Sequence, residues 1–134
     1  MSIDPNPPPE AANWRKLADG LGELLPNGEA VLIDLGNGRQ HAVHVVHQDI
    51  AWELSGMVAT PQELELADVS AIDLWRQNAQ RCLTGYVVDD DGNVWVTALA
   101  PVAGLTAEEF GWLAKLVASE AERLEYRLTG EDTR

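Results

Sequence analysis

Cysteine is nearly absent from this chain, which carries Cys82 alone in 134 residues. No disulfide within the chain is possible, and a reducing compartment fits. Basic residues are also scarce: nine Lys and Arg stand against twenty-two Asp and Glu, a net charge of −13. A protein that tracks phosphates shows the opposite sign, so nucleic acid is excluded as an expected ligand. The same deficit argues against docking on an anionic membrane. No apolar run approaches the roughly 18 residues of a membrane span. The first ten residues hold Pro5, Pro7, Pro8 and Pro9, with neither a basic start nor an apolar stretch. They do not read as a secretory signal. The expectation is a cytoplasmic protein.

What is present is enough apolar residue for a core, 46% of the chain. The length suits one domain. The reading is a loose proline-rich tail over 1–9, one domain over 10–130 and a loose end over 131–134. Trp14, Leu17, Ala18, Leu21, Leu24 and Leu25 recur every three or four residues and predict a helix over 10–25. Gly20 and Gly22 weaken it, and Pro26-Asn27-Gly28 stops it. Three strands are predicted next, over 29–35, 40–47 and 50–58, the last alternating through Ile50, Trp52 and Leu54. Thr60–Asp68 reads as a loop. Ser70 is placed to cap a helix over 71–82. Leu83–Val88 and Val94–Ala100 make a hairpin around Asp89-Asp90-Asp91-Gly92-Asn93. Thr106 and Glu109 form a capping box for a final helix over 106–128. Phe110, Leu113, Ala114, Val117, Ala121, Leu124 and Leu128 line its apolar stripe. The order α-β-β-β-α-β-β-α places adjoining strands together, so the fold class is α+β with an antiparallel sheet.

Signals of chemistry are weak. His41, His44 and His47 lie on one strand, where His44 points away from the other two, so the three cannot share an ion. They read as polar positions on a partly exposed strand. The Asp89-Asp90-Asp91-Gly92 run fails as a calcium loop. With Gly92 sixth, the first and twelfth positions are Val87 and Ala98, neither a carboxylate. Cys82 has no CxxC partner and reads as a small hydrophobe. No GxSxG, Walker loop or GxGxxG follows a strand. Neither a cofactor nor a metal is expected, and an enzyme is disfavoured.

The tryptophans point elsewhere. Trp14, Trp52, Trp75, Trp95 and Trp112 fall one to each of five elements. Trp112 lies off the main stripe of the final helix. Trp95, Thr97 and Leu99 face opposite to Val94, Val96 and Ala98, so the hairpin is apolar on both faces. One face is then expected to meet a second chain, since tryptophan is enriched at interface cores. The first helix and strand also carry more apolar surface than one small core needs, which suits an extended peptide.

From Asn78 to Arg127 the chain resembles the C-terminal half of the class I type III secretion chaperones, the Tir chaperone family. In places it is equally similar to the related YbjN-like family. The resemblance rests on Asn78 near the end of the middle helix and on the acidic glycine turn Asp89-Asp90-Asp91-Gly92. It rests also on Leu99-Ala100-Pro101, on Leu105-Thr106-Ala107-Glu108-Glu109-Phe110 and on Glu120-Ala121-Glu122. The element order agrees over nearly the whole chain. The resemblance implies a non-enzymatic homodimer that holds the N-terminal segment of a secreted effector in extended form. It places Leu74, Trp75, Asn78, Trp95 and Leu99 as candidates for the dimer interface. Leu17, Leu21, Val31, Ile33 and Trp52 are candidates for the peptide surface. For each of these residues core packing is an equal reading. The rival functions are a YbjN-like regulatory or peptide-binding protein, a small enzyme using Cys82 or a histidine, and a subunit with one fixed partner.

Overall fold

Residues 14–26, 28–48, 50–80 and 83–130 are described by a computed structural model. The elements in order are α1 (Trp14–Leu17), β1 (Gly22–Leu24), β2 (Ala30–Gly36), β3 (Arg39–Gln48) and β4 (Ala51–Ala59). Then come α2 (Pro61–Leu66), α3 (Ala71–Arg76) with a 3-10 turn (Gln77–Gln80), β5 (Gly85–Val88), β6 (Val94–Pro101) and α4 (Ala107–Thr129). The strands form one six-stranded sheet in the order β1-β2-β3-β4-β6-β5, and every neighbouring pair is antiparallel. The α+β class read from the sequence is the class observed. The tails over 1–9 and 131–134, the first residues of the predicted first helix (10–13), Asn27, Asp49, Arg81 and Cys82 lie outside the described residues.

Alternation sorts the sheet into two faces. The row Val31, Val43, Gly56, Val96 and Tyr86 lies on the face against α4. With Ile33, Trp52, Leu54 and Val58 it forms the core. From α4 come Phe110, Leu113, Ala114, Val117, Ala118, Ala121 and Leu124, all buried. Each large side chain buried this way contributes about 1.5–3 kcal/mol. Trp14 closes the N-terminal end of the core, its ring stacked on Phe110 at 6.2 Å. The capping box starts α4 as expected: the Glu109 amide donates to Thr106 Oγ1 at 3.1 Å, and the Thr106 amide to Glu109 Oε1 at 3.1 Å.

The first predicted helix requires correction over 18–25. The chain leaves α1 after Leu17, Gly20 takes a positive φ of 77°, and Gly22–Leu24 then pairs with β2 as an edge strand. A Cβ on Gly22 would lie 2.1 Å from the Leu32 carbonyl oxygen, so a side chain there is incompatible with this approach. The segment read as a loop after Thr60 also contains a helix. Thr60 and Glu63 form a second capping box, and Pro61 sits in the first turn, where its missing N–H costs nothing. Finally, the middle helix tightens into a 3-10 turn at Gln77.

Candidate interaction surfaces

The face of the sheet turned away from α4 is built from the intervening residues. Its central row is Ala30, His44, Ser55, Thr97 and Gly85. Val46, Glu53 and Leu99 form the adjacent row, and Met57, Trp95 and Val87 flank the other side. These side chains are mostly half-buried or exposed, and Leu99 is 64% accessible. A shallow depression of about 340 Å³ lies here, lined by His44, Val46, Glu53, Ser55, Val87, Asp89, Trp95 and Thr97.

Hydrogen bonds fix this surface before any partner arrives. Ser55 Oγ and Thr97 Oγ1 are 3.1 Å apart across β4 and β6. Gln48 Nε2 donates to Glu53 Oε2 at 2.7 Å. The Trp95 indole donates to Asp89 Oδ2 at 2.9 Å, and its ring meets His44 edge-on at 5.4 Å. Asp89 also accepts the amides of Asp91 and Asn93, each at 2.9 Å. Desolvation pushes its carboxyl up, but the bonds from Trp95, Asn93 and Asp91 outweigh it and hold it below the ordinary carboxylate range. The acidic turn is thus self-organised around Asp89, as a hairpin turn requires. On His44, desolvation by burial lowers the pKa; Glu29 opposes this and His41 adds to it.

A second depression of about 460 Å³ adjoins the first through Val87. Ala71, Ile72, Trp75 and Val88 complete it, with Trp75 52% accessible. The apolar part of this surface runs from Trp95 through Val87 to Ile72 and Trp75, over the hairpin and α3, with His44, Glu53, Ser55, Asp89 and Thr97 making the rest of the first depression polar. A third depression, about 490 Å³, lies between the α1 end and α4. Leu17, Leu21, Gly111 and the exposed Trp112 line it, with Asp19, Glu108 and Lys115 at its margin.

The residues singled out from sequence therefore separate. Trp75, Trp95 and Leu99 reach the open surface. Leu74 does not; it is buried in the core. Asn78 is occupied in binding the backbone of Tyr86. Leu17 and Leu21 are partly buried and line the third depression. Val31, Ile33 and Trp52 are sealed beneath α4, with 1% exposure or less, and offer no surface in this conformation. The histidines divide as the strand period requires, but His41 is fully buried rather than partly exposed, because α4 covers it. Its partner Glu122 comes from a helix 81 residues away, which no local spacing signals. Ile72 and Val87 are surface contributors that the interface reading passed over, and Trp112, read as off the main stripe of the final helix, is exposed.

No family model and no curated protein sequence matches this chain. Solved structures do share its fold. A chain of the heterodimeric complex ExoU–SpcU from the type III secretion system of Pseudomonas aeruginosa is 16% identical with a TM-score of 0.54. That match covers 86% of this chain and 96% of that one. YbjN, a candidate transcription regulator from E. coli, is 22% identical with a TM-score of 0.56, covering 84% of this chain and 87% of YbjN. The fold relationship implied by the sequence resemblance is the one observed. No helix among the described residues is long and apolar enough to cross a membrane.

Proposed function

We propose that this protein is a cytoplasmic type III secretion chaperone of the class I kind. In this reading it is a homodimer that holds the N-terminal chaperone-binding region of a secreted effector as an extended segment. The observation that carries the reading is the exposed apolar patch over α3 and the β5–β6 hairpin, on a fold shared with a chain of the ExoU–SpcU complex. A monomer of this size and charge gains nothing from exposing Ile72, Trp75 and Val87 together, with Leu99 on the same hairpin, unless another chain covers them. This patch is assigned to the second copy. The depression of Leu17, Leu21 and Trp112 is assigned to the effector segment. Binding free energy alone keeps such a segment soluble, so no catalytic group is required.

The similarity to YbjN supports a second reading, a peptide-binding or regulatory protein of the same fold with no secretion role. One experiment separates the two. The tagged chain is recovered from its native cell, bound proteins are identified by mass spectrometry, and the intact complex is weighed. One dominant partner, protected from proteolysis over its N-terminal segment and held by two copies of this chain, is the result expected. Several unrelated partners, or none, would favour the YbjN-like reading.

A further inference from the structure

Beneath α4, away from both surface patches, three ligating side chains converge: His41 of β3, and Glu122 and Glu125 one turn apart on α4. All three are buried, and one donor atom from each lies within 4.8 Å of the other two. We propose that these residues form a binding site for a divalent first-row transition ion, Zn²⁺ or Mn²⁺, which clamps α4 to the sheet.

The imidazole is already oriented for this role. A carbonyl oxygen only accepts, so the 2.8 Å contact between His41 Nε2 and the Met57 carbonyl fixes the proton on Nε2. Anchoring the distal nitrogen on a backbone carbonyl is the usual way a ligating histidine is held. The remaining nitrogen, Nδ1, faces Glu122 Oε2 at 2.9 Å. A divalent ion bound there would join one imidazole nitrogen to two carboxyl groups, whose combined charge when ionised matches its own. One nitrogen and two carboxylate oxygens suit Zn²⁺ and Mn²⁺, whereas sulfur-seeking ions have no ligand here.

Two further features fit. Gly56 lets the helix approach: a Cβ there would stand 2.9 Å from the Ala121 Cβ and 3.3 Å from His41 Cδ2. The site also has an access route. Glu122 lines a depression of about 280 Å³ with Leu35, Gly36, Asn37, Arg39, Ser119 and Arg123. Arg39 covers this side, 3.4 Å from Glu122 Oε1 and packed on the Tyr126 ring, with its side chain 46% exposed. Water from the depression would complete the coordination.

The test is titration of the metal-stripped full chain with ZnCl₂ and with MnCl₂, read by calorimetry and by the thermal midpoint. One ion per chain and a raised midpoint are expected with at least one of the two. Glu125→Gln should weaken binding by about tenfold or more, since even outer partners of a ligand carry that much. His44→Gln with His47→Gln should leave it intact, which separates the site from the other histidines. As a readout that needs no variant, Co²⁺ added to the wild-type chain should develop visible d–d bands unlike those of the aqueous ion. Absence of stoichiometric binding, binding unchanged in Glu125→Gln, binding lost with His44 and His47, or an aqueous Co²⁺ spectrum would each overturn the proposal and leave the cluster a buried ion pair.

Discussion

The Asn78 carboxamide hydrogen-bonds both backbone groups of Tyr86: its Oδ1 accepts the amide, and its Nδ2 donates to the carbonyl at 2.8 Å. A side chain thus stands in for the next strand at the β5 edge of the sheet. An unpaired edge is a template for adventitious pairing, and here it is blunted at its centre. Asn78→Ala leaves two backbone groups without their partner. The expected loss is about 1–3 kcal/mol, measured as a lower urea midpoint with an unchanged slope. Asn78→Asp keeps the acceptor but sets a carboxylate oxygen against the Tyr86 carbonyl, so it should lose at least as much. Equal stability of all three proteins would mean that the pair contributes nothing.

Legibility in the sequence followed how local each interaction is. The stripe of α4 and its Thr106–Glu109 box were plain because helical period and capping are decided within a few residues. The alternation that turned Trp95 and Leu99 away from Val94 and Val96 was equally plain. The Thr60–Glu63 box carries the same signal as the Thr106 box but was obscured by Pro61, which reads as a breaker yet belongs in a first turn. Leu24 continues the helical spacing of Leu17 and Leu21, so only Gly20 and Gly22 betray the strand there. Burial of His41 rests on pairing with Glu122 across the fold, beyond the reach of any window. Leu74 and Trp75 are neighbours in one helix, and which of them faces inward depends on how α3 lies along β5.

The proposed dimer can be tested on residues that the monomer fold does not need. Trp75 and Leu99 are both more than half exposed, so Trp75→Glu with Leu99→Glu should leave the far-ultraviolet spectrum of the chain unchanged. If the patch is the contact between copies, two buried carboxylates per chain should raise the dissociation constant by about a hundredfold or more, in keeping with central interface residues. Light scattering across a dilution series measures this. A dimer of unchanged affinity in the double variant would remove the patch from the interface.

The assignment of the effector groove predicts opposite behaviour for two apolar residues. Trp112, 58% exposed, lines the groove, and Ile33 is fully buried. Trp112→Ala should lower the affinity for the partner segment by about tenfold or more, as loss of an aromatic anchor does. Its stability should move by no more than about 0.5 kcal/mol. Ile33→Ala should instead cost about 2–5 kcal/mol by leaving a cavity under α4. Binding titrations paired with urea melts check both. Trp112→Ala with full affinity would move the segment to another surface.

His44 makes stability depend on pH in a direction fixed by its surroundings. Desolvation against the sheet disfavours its charged form, and the nearby Glu29 only partly offsets this, so its folded pKa lies below the model-peptide value of 6.5. The unfolded chain then holds the proton more tightly than the folded one. Stability from this residue is complete above about pH 6.5, the ordinary histidine value, and is lost as pH falls through the lower folded value. Glutamine cannot titrate, so His44→Gln should flatten that part of the profile while keeping the contact with the Trp95 ring partly filled. Urea midpoints of the two proteins, taken at intervals from neutral pH down to pH 5, give the comparison. The wild-type curve should drop faster than that of the variant below neutrality. His41 and His47 are present in both proteins, so the difference between the curves reports His44 together with its coupling to His41. Parallel curves would show that its imidazole is solvated in the folded chain as it is in the unfolded one.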